Sequence, residues 1–253
     1  MLQKIRQYRF LFEELVSRDF KQKYKRTVLG MFWSVLSPLL NLLIMHLIFS
    51  NFFGATIEHY TIYLFAGNII FSYYSESTNG GMCSLLENAH IFTKVNVPKY
   101  LFLLSKNISA LINFGLTLII FFIFCIFDGI TFGWHFLLLI FPIVCLVAFN
   151  IGFGLILSAA FVFFRDISYL FGIFNTLLCY MSAIFYQVDV FPEYAQKLFY
   201  INPIYCYITY VRTVVISGTV PSLALHALCF GHAIIVVLIG AYIYKHYNHR
   251  FLY

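Results

Sequence analysis

Apolar residues run along the chain in long blocks, not in the alternating or single-face stripes of a water-soluble fold. A helix crosses a bilayer with about 20 mostly apolar residues. Blocks of that length lie near residues 31–53, 62–82, 107–127, 135–164, 167–187 and 223–244. The pattern predicts an all-α, polytopic membrane protein of six transmembrane helices, a single transmembrane domain over 1–253. The second block is the weakest, interrupted by Asn68, Glu76, Asn79 and Gly80-Gly81, and the fourth is long enough to need tilt or an interfacial extension.

Three segments between or before the blocks carry their own patterns. Within 1–30, Leu2, Ile5, Phe12 and Leu15 recur at roughly helical spacing against Lys4, Arg6 and Arg9, the pattern of an amphipathic interfacial helix; a basic tail is the alternative. In the loop 83–99, Ser84-Leu85-Leu86-Glu87 reads as a capping box opening a short helix that Pro98 stops, either a connector or a docking knob for another protein. Between 187 and 222, Pro192-Glu193 opens one short apolar helix, Asn202-Pro203 breaks it, and a second stretch follows from Ile204 to Gly218. Neither half can cross alone, which predicts a re-entrant hairpin between spans five and six; one additional crossing is the alternative.

Charge then orients the spans. With six crossings, 14 of the 16 Lys and Arg fall on one side, including Lys94, Lys99, Lys106, Arg165, Lys245 and Arg250, and only Lys197 and Arg212 fall on the other. By the positive-inside rule both termini are cytoplasmic. The first thirty residues hold eight Lys/Arg and three acids around no apolar core, which is not a cleavable signal peptide.

Composition excludes a soluble globule, because 62% of residues are hydrophobic and 10% charged against a norm of about 25% charged. The net charge of +6 is dispersed among apolar runs, so no nucleic-acid surface is expected. Six scattered cysteines without a C-x-x-C pair predict neither a disulfide framework nor a metal site. No G-x-x-x-x-G-K-S/T loop occurs, so the chain is not a P-loop ATPase, and the acids are too dispersed to nominate a catalytic pair. Asp189 and Glu193 suit a helix start. Glu76, within span two, calls for Arg26, Lys25 or Lys106 as a structural partner; His46 and His232 read as hydrogen-bonding groups between helices. Aromatic residues make up 21% of the chain and offer stacking faces as well as an interfacial belt.

The order and spacing of several motifs resemble one family. They are Arg18-Asp19-Phe20-Lys21 and Lys23-Tyr24, then Val28-Leu29-Gly30-Met31-Phe32-Trp33 and Leu36-Ser37-Pro38-Leu39. Glu87-Asn88-Ala89, Thr93-Lys94-Val95 and Val97-Pro98-Lys99 follow, then Phe164-Arg165-Asp166-Ile167, Phe185-Tyr186, Val190-Phe191-Pro192-Glu193 and Ile201-Asn202-Pro203. Over nearly its whole length the chain resembles the membrane permease of the polysaccharide and teichoic acid branch of type-2 ABC exporters. The resemblance implies a homodimer in the bacterial cytoplasmic membrane, joined by two copies of a separate ABC subunit that binds ATP and magnesium, and no cofactor in this chain. It implies a coupling helix over Ser84 to Val95, with Ser84, Leu85, Glu87, Asn88, Ile91, Phe92 and Lys94 as ATPase-coupling residues. It implies gate helices hinged on Pro192, Asn202 and Pro203, and a polyprenyl-diphosphate-linked glycan as cargo. Lys21, Lys23, Lys25 and Arg26 would then receive the lipid diphosphate or merely enforce topology, and Trp33, Tyr180, Phe185 and Tyr186 would line a glycan channel. A drug or lipid exporter of the same superfamily and a membrane enzyme acting on lipid-linked sugars are the competing readings.

Overall fold

A computed structural model describes residues 2–54, 57–92, 94 and 97–247; the side chains of residues 2–7 and of the predicted coupling residue Phe92 lie outside that description, as do Val95, the end of the predicted coupling helix, and the basic residue Arg250. Among the described residues every regular element is helical. In chain order they are α1 (Leu2–Tyr24), α2 (Trp33–Phe53), α3 (Tyr60–Glu87), α4 (Ala89–Phe92), α5 (Tyr100–Phe127), α6 (Ile140–Phe163), α7 (Ile167–Met181), α8 (Glu193–Phe199), α9 (Pro203–Val215) and α10 (Leu223–Tyr247).

Four of the six predicted spans, at Gly30–Phe53, Tyr100–Phe127, Trp134–Phe163 and Leu223–Tyr247, are long and apolar enough to cross a membrane by length and composition. The other two differ for physical reasons. In α3, 18 of 28 residues are buried, so its environment is other helices and its polar groups escape the cost of lipid. Helix α7 stops after 15 residues, at Met181, and the chain continues to 187 in an irregular path. Helix α5 starts at Tyr100, earlier than the predicted 107, because Lys106, which interrupts the apolar run, is an ion-paired residue inside the helix. The long fourth block resolves into a 3-10 turn over Trp134–Leu139 followed by α6.

The hairpin region breaks where its sequence predicts. Pro192 precedes α8; Asn202 then accepts from the Ile204 and Tyr205 amides, and Pro203 fills the first position of α9. Its halves are not alike, since α8 buries no residue whereas Ile204, Cys206, Tyr207, Ile208, Tyr210 and Val214 of α9 are fully enclosed.

The main core joins α3, α5, α6, α9 and α10. Helices α6 and α10 touch backbone to backbone, because a Cβ on Gly240 would lie 2.3 Å from the Gly152 carbonyl oxygen. Close approach of small residues is how membrane helices gain dispersion energy where lipid tails compete equally for apolar surface. Gly240→Val is expected to lose the monodisperse elution peak in detergent, since overpacking of this kind costs roughly 1–3 kcal/mol or more. Gly231→Ala, where nothing lies within 4 Å, is expected to leave the peak and the thermal midpoint intact.

Candidate functional site

The functional geometry starts where α1 meets the bundle. The Asp19 carboxylate is almost wholly enclosed and accepts from Arg18 Nη2 at 2.8 Å and Ser105 Oγ at 2.9 Å, with Lys106 Nζ at 3.5 Å. Arg18 also donates to Asn88 Oδ1 at 2.8 Å, Asn88 Nδ2 to the Ser84 carbonyl at 2.8 Å, and Lys106 pairs with Glu87 at 2.8 Å. A buried carboxylate persists only when paired and hydrogen-bonded, so this network pins α1 to the end of α3 and the start of α5. The apolar face of α1 packs on protein: Leu15 lies with Val97 and Phe102, and Ile91 of α4 joins the same cluster.

The predicted coupling residues divide accordingly. Ser84-Leu85-Leu86-Glu87 is the last turn of α3, not a capping box opening a new helix, because the Ser84 hydroxyl bonds back to the Gly81 carbonyl at 2.6 Å. Ser84, Leu85 and Asn88 are buried. Glu87, His90 and Lys94 form the exposed edge around α4.

Beside this network runs a polar groove. Asn68, Ser72, Ser75, Glu76 and Asn79 share one face of α3. Helix α2 supplies Ser34, Ser37 and Asn41 on one flank, and on the other Asn175 of α7 donates to Ser75 Oγ at 2.8 Å. Ser37, Asn41, Ser72 and Asn79 are exposed along this groove. The groove widens toward α1 into a cavity of about 340 Å³ between α1, α2, α3 and α5. There Glu76 pairs with Lys23 at 3.0 Å, not with Lys25, Arg26 or Lys106, and accepts from Asn113 Nδ2 at 3.0 Å, while Tyr24 donates to Asn113 Oδ1 at 2.8 Å. The reason is reach: Lys23 and Tyr24 close the last turn of α1 over the cavity, whereas Lys106 is spent on Glu87 and Asp19. Lys21, Lys25 and Arg26 are exposed and make no ion pair among the described residues.

The four predicted channel rings do not gather. Trp33 lines the cavity, while Tyr180, Phe185 and Tyr186 lie at the far end of the groove. Phe185 is a core ring, stacked on Phe49 with centroids 4.6 Å apart.

At that far end the chain after α7 unwinds through Ser182 to Tyr186, with Ala183 at φ +49°, and side chains satisfy its carbonyls. Arg212 of α9 donates to the carbonyls of Ala183 and Ile184, each at 2.9 Å, and to that of Tyr63, and its guanidinium lies 3.3 Å from the Tyr63 ring centre. Tyr60 donates to the Phe185 carbonyl at 3.0 Å, Tyr63 to that of Tyr186 at 2.6 Å, and Asn202 to that of Met181 at 3.1 Å. Gly67 makes room, since a Cβ there would sit 2.9 Å from Arg212 Nη2. Sequence reasoning treats Arg212 as one of two outlying loop cations, yet its isolation within the apolar stretch 204–218 is the signal of a buried, specifically partnered cation. Asn113 escaped notice because an amide inside an apolar run has no motif. His46 meets Thr61 of α3 at 3.2 Å, the expected contact between helices.

The long apolar helices among the described residues define a multi-pass membrane protein. Residues 11–216 match the family described as ABC-2 type transporter, and the chain belongs to that family. It is thus a transport component, and membership implies an ATP-binding partner. Among its relatives, an O-antigen export system permease protein RfbA of Klebsiella pneumoniae is 28% identical over 249 residues, 96% of this chain and 95% of that one. A protein of the same name from Myxococcus xanthus is 27% identical over 229 residues, covering 87% and 86%.

Two substitutions probe the two ends. Arg212→Met strands several carbonyls at about 1–3 kcal/mol each and is expected to lower the detergent-solubilised thermal midpoint steeply, with Arg212→Lys intermediate. Asp19→Ala leaves Arg18 and Lys106 without their buried anion, a loss of roughly 3–5 kcal/mol for a buried pair; limited proteolysis should then cut between α1 and α2 while the rest of the bundle stays protected.

Proposed function

We propose that the chain is the membrane permease of an ATP-driven exporter that moves a lipid-linked cell-surface polysaccharide across the bacterial cytoplasmic membrane. The observation that carries this reading is the likeness to O-antigen export permeases over 96% of the chain. The polar groove on α3, walled by α2 and α7, supports it as half of an aqueous conduit. Helix α7 is exposed on most sides, with Phe171 its one buried residue, and α2 presents Leu43, Ile44, Leu47 and Ile48 outward. A second copy that covers both helices would close two grooves into one passage, which supports a homodimer.

The working topology has six crossings, α2, α3, α5, α6, α7 with the segment to Tyr186, and α10, and both termini cytoplasmic. In this topology α8 and α9 form a re-entrant hairpin from the outer side. Tyr207 of α9 meets Phe149, nine residues into α6, which corresponds to about 14 Å of depth. On the inner side the exposed edge of α4 meets two copies of the ATPase, and the Asp19 network carries its displacement to α1 and the mouth of the groove. Lys21, Lys25 and Arg26, unpaired at that mouth, suit the diphosphate of a polyprenyl-linked cargo.

The test is purification of the tagged chain from native membranes in mild detergent. A soluble ATP-binding subunit is expected at one to one, lost when residues 87–95 are scrambled, and deletion of the gene should trap glycan inside the cell. Recovery of the chain without any ATP-binding partner in several mild detergents, with surface glycan unaltered by deletion, would remove the exporter reading.

A further inference from the structure

The cavity at the inner end of the groove has a charge balance at odds with an anion receptor. Its cation, Lys23, is already engaged 3.0 Å from Glu76, and that carboxylate is held from the other side by Asn113. An incoming phosphate would have to displace an internal anion and would meet it at close range. The rest of the lining is uncharged, with amides and hydroxyls set among Pro38, Ile69, Ala110 and aromatic rings. Asn68 is 92% buried by its relative exposure of 8%, lines the cavity, and makes no side-chain hydrogen bond among the described residues. Ser37, Asn41 and Ser72 at the rim likewise leave their donors and acceptors unspent. Tyr73, Phe114 and Trp33 contribute ring surface. From Glu76 to Asn68 the floor extends eight residues along α3, roughly 12 Å.

Unspent amides and hydroxyls facing aromatic surface, in a space of about 340 Å³ with no net charge, are the chemistry of a neutral polyhydroxylated ring. We propose that this cavity is a binding station for a single neutral sugar ring, hydrogen-bonded by Asn68 and Glu76 and packed against Trp33, with Lys23 held by Glu76 as part of the wall and not as a phosphate receptor. The inference rests on the export reading for the source of its ligand; the station itself is a property of the protomer. Glu76 then has two tasks, neutralising Lys23 and accepting from sugar hydroxyls, and the neutral station lets glycan units pass without the grip of a charged site.

The two tryptophans make the test direct. The full chain carrying Trp134→Phe, reconstituted in lipid vesicles without any scaffold protein, reports on Trp33 alone. Methyl glycosides of common hexoses and of N-acetylhexosamine are titrated across the millimolar range, with inorganic pyrophosphate in parallel. The expected result is a saturable Trp33 fluorescence change with at least one glycoside and none with pyrophosphate. Asn68→Leu should weaken the glycoside response about tenfold, the loss of one good hydrogen bond, with an unchanged elution profile because a buried, unpartnered amide is replaced by an apolar group of similar size. Glu76→Gln frees Lys23 and should create a pyrophosphate response. A wild-type response to pyrophosphate and not to glycosides overturns the proposal, as does a glycoside response indifferent to Asn68→Leu, or none at all. Because these readouts need neither ATPase nor cargo, they are independent of export: failure of the wild-type gene to restore surface glycan to a deletion strain would sink the exporter reading and leave the sugar station standing.

Discussion

The structure depends on how one stretch of non-helical backbone is satisfied inside the helical packing. Helix α7 ends at Met181, and residues 181–186 carry carbonyls that no helical ladder takes up. Three side-chain sources serve them: the Arg212 guanidinium, the Tyr60 and Tyr63 hydroxyls, and the Asn202 amide. Each source belongs to an element that the break itself holds in place. Arg212 anchors α9, Tyr60 and Tyr63 form the first turn of α3, and Asn202 is at once the cap of α9 and a donor to α7. Removing the break would leave a buried guanidinium with the Tyr63 carbonyl alone; removing Arg212 would leave the break with few donors. The left-handed backbone of Ala183, which costs roughly 1–2 kcal/mol for a residue with a Cβ, persists because this closed set of bonds over-determines it.

A second closed set lies at the opposite end of α3, and the two have different chemistry. The far-end clamp uses one cation and neutral acceptors with no carboxylate, so it is stiff and directional. The Asp19 set is ionic and partly open to solvent: Glu87 and Arg18 are substantially exposed while Asp19 is not. A carboxylate shared among Arg18, Lys106 and Ser105 can redistribute its partners when α1 or α4 moves, since no single contact carries the whole charge. Helix α3 thus runs from an anchor of one cation and neutral acceptors to an ionic one whose partners share the charge.

Which features the sequence reveals follows from which forces are local. The four strong spans, the helix break at Asn202-Pro203 and the helical α1 depend on hydropathy, on the proline ring and on short-range spacing, and all are visible in the chain itself. The early end of α7 is not, because Ser182 to Tyr186 remain apolar in composition; what ends the helix is a guanidinium thirty residues away. Helix α3 looks weak by hydropathy for the opposite reason, its polar residues being addressed to a groove that exists only after α2 and α7 pack beside it. The pairing of Glu76 with Lys23 likewise needs the angle at which α1 docks, which Asp19 sets, and a one-dimensional search ranks Lys25, Arg26 and Lys106 as equal candidates.

That pairing also changes what the cluster of cations at the end of α1 means. Four basic residues within six positions read as one phosphate-binding unit only if all four charges are available. The fold engages Lys23, still half-exposed, with Glu76 at the wall of the cavity and leaves Lys21, Lys25 and Arg26 without an ion pair among the described residues, with Arg26 in a left-handed conformation at the end of α1. Charge is therefore sorted along the path: cationic outside the mouth, neutral and hydrogen-bonding within. Glu76 makes the boundary by cancelling the one cation that would otherwise face the groove.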